Sequence, residues 1–411
     1  MTPLYGNAVV GQSGGPTAAI NATLTGVIDG AREAHEKGII GKMFGMKNGI
    51  EGLLHENFVD LFKEVPDKES RALLKSTPAA ALGSCRRKLP QPDGDDLSVY
   101  EEILRILKKY DIRYFFYIGG NDSMDTVSKL YVYCKNAGYD LRVMGVPKTI
   151  DNDLCGTDHT PGFGSAAKYI ATTVSEFLRD CAVYTVPAVT VVEIMGRDAG
   201  WLTAAASLAG ENGPDLIYLP ERPFSDEAFI TAVRKALETH PNVVVAVSEG
   251  VRYADGTYVG AGAQSGVADV FGHQYLSGTG KALEHLVKNR IGCKVRSVEL
   301  NISQRCAAHI TSATDIRESV AVGRSAVRAA VAGESGKMMC MFRKSGAKYG
   351  VENRPVDIAA IANRVKTVPD SFITSNGTGI TPAGKAYLMP LIMGEGKVFY
   401  KNGLPAHFIL K

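Results

Sequence analysis

Apolar and polar positions alternate in blocks along the chain. A short apolar run is followed by a glycine-bearing polar cluster, and then by a longer stretch with apolar residues at helical spacing. The apolar runs predict strands over residues 8–10, 114–118, 143–146, 187–194, 216–219 and 242–247. Helices are expected from Thr17, over Ser98–Lys109, from the GGNDS cluster through Lys135, through the stretch HTPGFGSAAKYIATTVSEFLRD, and after MGRDAGW to about Leu208. Beyond Thr279 the pattern predicts a helix in GKALEHLVKNRIG, a strand in KVRSVELNIS and a helix over 315–331. Residues 34–70 read as mixed, and 336–411 as short strands and turns with a structural role.

The polar clusters fall in a consistent place. SGG, GGNDS, PKTIDND, MGRDAG and SEG each follow the carboxyl end of a predicted strand. In an open α/β sheet that edge is where ligands bind. Glycines there allow tight turns and close backbone approach to an anion. Arg86 (in the triplet Arg86, Arg87, Lys88), Lys148 and Arg197 point to a ligand carrying anionic groups. A lone basic triplet is ordinarily a solvated patch, and the glycine turn at Gly14 and Gly15 matches neither a Walker loop nor GxGxxG.

The densest cluster is VMGVPKTIDND, residues 143–153. A strand breaks at Pro147 and delivers Lys148, Thr149, Asp151, Asn152 and Asp153 in quick succession. Both charge signs packed that closely exceed what a structural turn requires. Asp151 is expected to act as a general base, with Lys148 neutralising a phosphate.

Composition narrows the class without changing the picture. The 411 residues are 45% hydrophobic and 22% charged, ordinary globular values, and the length allows two or three domains. A formal net charge of +3 gives no reason to expect a nucleic-acid surface. No apolar run approaches the roughly 20 residues of a membrane span, and the first residues lack the basic-then-apolar pattern of a signal peptide. The seven cysteines form no CxxC pair and read as small buried thiols. A cytoplasmic protein is expected.

GGNDS, PKTIDND, MGRDAGW, SEG and the Gln304–Arg305 pair, in this order and spacing, resemble the phosphofructokinase family over roughly residues 4–330. The resemblance implies two Rossmann-like α/β domains facing across a cleft: a donor-binding domain over 1–162, a sugar-phosphate domain over 163–303, and 304–411 returning to the first. It implies transfer of a phosphoryl group to the 1-hydroxyl of fructose 6-phosphate, with Mg²⁺ as cofactor and a homodimer or homotetramer as the assembly. By position, Asp151, Arg197 and Lys148 would be catalytic. Thr149, Ile150, Asp153, Met195, Gly196, Glu249, Arg296 and Arg305 would face the sugar phosphate. Gly14, Gly15, Arg86, Lys88, Gly120, Asp122 and Lys148 would face the donor, and Asn121 the metal.

ATP-dependent members usually have GGDGS, and glycine where Lys148 stands. Here Asp122 takes the place of the third glycine, filling space where an α-phosphate would pass, and Lys148 adds a cation. Both changes resemble the pyrophosphate-dependent branch, so pyrophosphate is the expected donor in a reversible reaction. Three positions depart from the family. Asn121 stands where most members have a metal-binding aspartate, Ile302 where histidine or tyrosine is common, and Ala188 where many bacterial members place an arginine that reaches a neighbouring subunit. The alternatives are an ATP-dependent phosphofructokinase, a non-catalytic sugar-phosphate-binding homologue, and an α/β NAD enzyme, the last disfavoured because GxGxxG is absent.

Overall fold

The structure, a computed structural model, describes residues 4–211, 213–261, 278–346, 348–361 and 364–410. Five strands come first: β1 (Gly6–Gln12), β2 (Ile40–Met46), β3 (Phe58–Asp60), β4 (Ile112–Gly119) and β5 (Arg142–Pro147). Four follow: β6 (Ala188–Ile194), β7 (Leu216–Tyr218), β8 (Asn242–Ser248) and β9 (Lys294–Glu299). The chain then adds β10 (Lys337–Arg343) and β11 (Val351–Asp357) to the first group.

The result is a seven-stranded sheet in the order β11-β10-β5-β4-β1-β2-β3 and a four-stranded sheet in the order β7-β8-β6-β9. β2, β1, β4, β5 and β10 run parallel, with antiparallel strands at both edges. The smaller sheet is parallel throughout. Parallel sheets covered on both faces use nearly continuous apolar strands, as in β4: Tyr114, Phe116 and Ile118 enter one core, and Phe115 and Tyr117 the opposite one. Two further cores cover the faces of the smaller sheet.

One helix pair holds the first sheet together across a long sequence separation. Helix Ile20–Glu36 packs on helix Ala313–Val331 through facing glycines. A Cβ on Gly26 would stand 2.1 Å from the Val320 carbonyl oxygen, and one on Gly323 would stand 2.3 Å from that of Thr23. Arg324 and Arg328 frame this contact with ion pairs to Asp29 and Glu33.

β2 and the short edge strand β3 are missed by the apolar pattern, and β2 is the more telling case. Its sequence, IGKMFGM, is broken by Lys42 and two glycines, yet it pairs in parallel with β1. The first helix starts at Ile20 rather than Thr17, because residues 13–19 form the turn that shapes the site. The cysteines are all free, but only Cys85, Cys134, Cys181 and Cys340 are buried; Cys306 is exposed.

Candidate active site

The carboxyl ends of β1, β4 and β5 face those of β6, β8 and β9 across a cavity of about 750 Å³. Ser13, Gly14, Gly15, Arg86, Gly120, Asn121, Asp122, Lys148, Thr149, Ile150, Asp151 and Asp153 line it from the first sheet's side. Glu193, Met195, Arg197, Asp198, Glu249, Asn301, Gln304 and Arg305 line it from the other.

The loop after β5 is the best anchored. The Lys148 amide donates to the Gly119 carbonyl at 2.9 Å, and the Thr149 amide donates to that of Pro161 at 3.2 Å. The Thr149 hydroxyl accepts from the Asp151 amide at 3.1 Å and donates to Asp151 Oδ2 at 3.3 Å, which fixes the carboxylate. Asn152 takes a left-handed conformation, φ 54°. Asparagine is among the few side chains that tolerate it, and it aims Asp151 and Asp153 into the cleft together.

Burial raises the Asp151 carboxyl above the usual carboxylate range, against the Thr149 hydrogen bond and the nearby Lys148 and Arg197. Asp153 is pushed up to about 7 by burial and by the Asp151 charge beside it. Glu249 rises to about 8, mainly through burial.

Lys148 is 3% exposed. Its ammonium donates to the Gly15 carbonyl at 2.5 Å. Burial lowers it to about 8 against the pull of Asp151 and Asp153, and the neighbouring Arg305 and Arg86 push it the same way. Lys148 and Arg305 therefore meet at the turn after β1, and Arg86 lines the same cavity. Gly14 has φ 77° there, and a Cβ on Gly15 would lie 3.7 Å from Arg305 Nη1. Gly120 caps helix Asn121–Asn136, whose amino end opens on the same space.

On the opposite wall, the Gly196 amide donates to Glu249 Oε1 at 3.2 Å and the Met195 amide to Gln304 Oε1 at 3.3 Å. Gly196 has φ 143°, which a side chain rarely adopts. Arg197 Nε donates to Asp198 Oδ2 at 3.1 Å, and Arg252 Nη2 holds the other oxygen of Asp198 at 2.5 Å.

A divalent cation fits one corner. Asn121 Oδ1 is buried with no hydrogen-bond partner among the described residues, while its Nδ2 donates to Asp153 Oδ2 at 3.4 Å. An orphaned amide oxygen beside a carboxylate is a hard-oxygen donor set of the kind magnesium takes with water completing its shell. No group of three or more His, Cys, Asp or Glu is arranged to hold a metal among the described residues, so such an ion would rest on these two residues.

Two expected site residues stand apart. Arg296 is exposed on the edge strand β9, beside a small depression that includes Ala188, not in the cleft. It lies opposite Thr190 in register, several residues before the strand's carboxyl end. Lys88 does not line the cavity; it pairs with Asp122 at 3.7 Å from outside. The sequence reading missed Lys366, which lies in the tail taken as structural. Burial lowers its ammonium to about 8, against Asp158 and Asp153. A lone lysine in a polar tail carries no sequence signal. Asp198 and Gln304 were inside the quoted motifs.

Comparison with known proteins agrees with this geometry. A family profile described as Phosphofructokinase matches residues 7–330. The chain is 42% identical over 406 residues to the pyrophosphate–fructose 6-phosphate 1-phosphotransferase of Halomonas elongata, covering 97% of this chain and 94% of that one. It is 41% identical to the protein of the same name from Methylococcus capsulatus, covering 98% and 96%. The crystal structure of pyrophosphate-dependent phosphofructokinase from Nitrosospira multiformis superposes with a TM-score of 0.89 at 38% identity, covering 99% of this chain and 97% of that one. With a mixed and a parallel sheet closing on one cleft lined by charges of both signs, and near-complete coverage by these relatives, the chain belongs to the phosphofructokinase family.

Proposed function

We propose that the chain moves a phosphoryl group from inorganic pyrophosphate to the 1-hydroxyl of fructose 6-phosphate, reversibly, giving fructose 1,6-bisphosphate and phosphate. The observation that carries the donor assignment is the meeting of Lys148 and Arg305 at the Gly14–Gly15 turn, with Arg86 and Asp122 lining the same cavity. Three cations lining one cavity suit a compact, multiply charged anion. A carboxylate at 122 repels and obstructs the longer chain of a nucleoside triphosphate.

Phosphoryl transfer asks the protein for position and charge rather than covalent chemistry. Asp151, its carboxylate steered by Thr149, accepts the proton of the 1-hydroxyl as that oxygen attacks in line. Arg197, braced by Asp198 and Arg252, meets the equatorial oxygens from the second sheet, and Lys148 meets them from the first. Glu249 and Met195 line the sugar's side. Residues 1–162 supply the donor side, 163–303 most of the sugar side, and 304–411 return to the first sheet. Mg²⁺ held by Asp153 and Asn121 would offset charge on the transferring group.

Arg296 on the exposed edge strand β9, beside a depression it shares with Ala188 of β6, suits contact with a second copy, so a homodimer or homotetramer is proposed. No helix is long and apolar enough to cross a membrane among the described residues, and a cytoplasmic location fits the free thiols.

Steady-state assays with fructose 6-phosphate and either pyrophosphate or ATP test the assignment. Turnover with pyrophosphate is expected. Turnover with ATP alone, or sugar-phosphate binding without turnover on either donor, would overturn it.

A further inference from the structure

A short stretch of the C-terminal part, residues 364–368, runs between the loop after β5 and the turn after β6. It lies beyond the residues matched by the family profile. It is bonded on both sides. The Lys366 amide donates to the Asp153 carbonyl at 2.7 Å, and Val365 bridges Leu154. On the other side the Lys366 carbonyl accepts from Trp201 Nε1 at 2.9 Å. Glu221 Oε1 accepts from both the Gly200 and the Val368 amides, each at 2.9 Å.

The side chain does more than the backbone. The Lys366 ammonium donates to the Asp158 carbonyl at 2.7 Å, the Thr157 carbonyl at 3.2 Å and Asn152 Oδ1 at 3.3 Å. An ammonium has three donors and no acceptor, so these three oxygens saturate it. They belong to the loop that presents Asp151. Asn152, the left-handed residue next to the base, is gripped by its own side chain. A conformation of that kind persists only where its surroundings over-determine it.

We infer that Lys366 is a positioning residue for the transfer: its ammonium fixes the 151–158 loop, and its segment ties that loop to the turn carrying Arg197. The base and the charge-neutralising arginine come from different sheets, and this segment puts them in one frame. The inference rests on the roles proposed above for Asp151 and Arg197. Lys366 touches neither the reacting atoms nor the donor turn, so its loss acts through alignment. A misplacement of about 1 Å can slow an enzyme roughly 100-fold.

The test is Lys366→Met in the full-length protein, with wild type assayed alongside. Methionine keeps most of the stem and removes all three donors. The expected result is a kcat lower by roughly 30- to 100-fold, with KM for fructose 6-phosphate and pyrophosphate within about 3-fold and a cooperative thermal melt. Lys366→Gln, which keeps two donors, should recover part of the rate. A Lys366→Met kcat within about 3-fold of wild type, or a loss appearing in KM instead, overturns the inference. If Lys366→Met does not fold, Lys366→Gln is read by the same criteria; if neither folds, the residue is a stability element and the inference fails. Wild type inactive with pyrophosphate would instead sink the functional reading itself.

Discussion

The ammonium of Lys148 donates to the main-chain oxygen of Gly15 at 2.5 Å. A side chain from the end of β5 thus closes the turn after β1, and the loop carrying Asp151 and the Gly14–Gly15 turn share one buried cation.

Donor choice should follow from that contact. Replacing Lys148 by glycine together with Asp122 by glycine removes the cation and the obstruction at once. The double variant is expected to lose pyrophosphate kcat/KM by about 100- to 1,000-fold, the scale of one lost charge-stabilising donor, and to gain turnover with ATP. Parallel initial-rate assays decide it, and an unchanged donor preference would count against the assignment.

Removing the base should act on rate rather than affinity. Asp151→Ser keeps a small polar group and loses the proton acceptor. The expected fall in kcat is about 10²- to 10⁴-fold, with KM for fructose 6-phosphate little changed, because the interaction forms mainly in the transition state. A near-wild-type kcat would remove Asp151 from the role.

Lys148 should make function and stability diverge with pH. Burial lowers it from its ordinary 10.5 to about 8. Between those values the unfolded chain keeps a proton that the folded chain has released. The group therefore opposes folding below about pH 8, and that opposition fades as pH rises toward 10.5. Lys148→Met is expected to be more stable than wild type at pH 7 by about 1–3 kcal/mol, seen as a higher Tm, with the gap narrowing toward pH 10. Wild-type kcat/KM for pyrophosphate should decline as pH rises through about 8, and the variant should lack that limb. A Tm gap that widens with pH would contradict the sign.

The helix pair offers a test of the fold away from the cleft. Gly26→Ala puts a methyl group 2.1 Å from the Val320 carbonyl oxygen, an approach only backbone movement can relieve. A loss of about 1–3 kcal/mol or more is expected, read as a lower denaturant midpoint. Gly38→Ala, with nothing within 4 Å of its Cβ but φ 71°, separates crowding from the penalty of a left-handed backbone. Gly26 has no left-handed backbone, so an unchanged midpoint for Gly26→Ala would mean that crowding contributes nothing.

Much of this was written in the chain's local pattern. The parallel strands β4, β5, β6 and β8 are apolar on both faces and end in polar clusters, so periodicity alone located them and the cleft edge. β2 escaped because a strand flanked by neighbours can carry Lys42 and two glycines when pairing, not side chains, holds it in place. The loop residues 148–153 were legible because opposite charges crowd a strand end. Arg296 lies outside this chain's own cleft: a motif match gives sequence position, whereas cleft access depends on how far along β9 a residue sits. Lys366 could not be found at all: its partners, two main-chain oxygens and the Asn152 amide oxygen, lie some two hundred positions away, which no local pattern encodes.

β5, the strand that leads into the loop carrying Asp151, pairs on one side with β4 and on the other with β10. During synthesis β10 leaves the ribosome only after the entire smaller sheet. Until then the nascent first sheet presents β5 as a bare edge, the kind of surface that recruits foreign strands. The amino-terminal half therefore cannot complete its sheet by itself, and the β5 edge stays open until the segment carrying β10 (Lys337–Arg343) has been made.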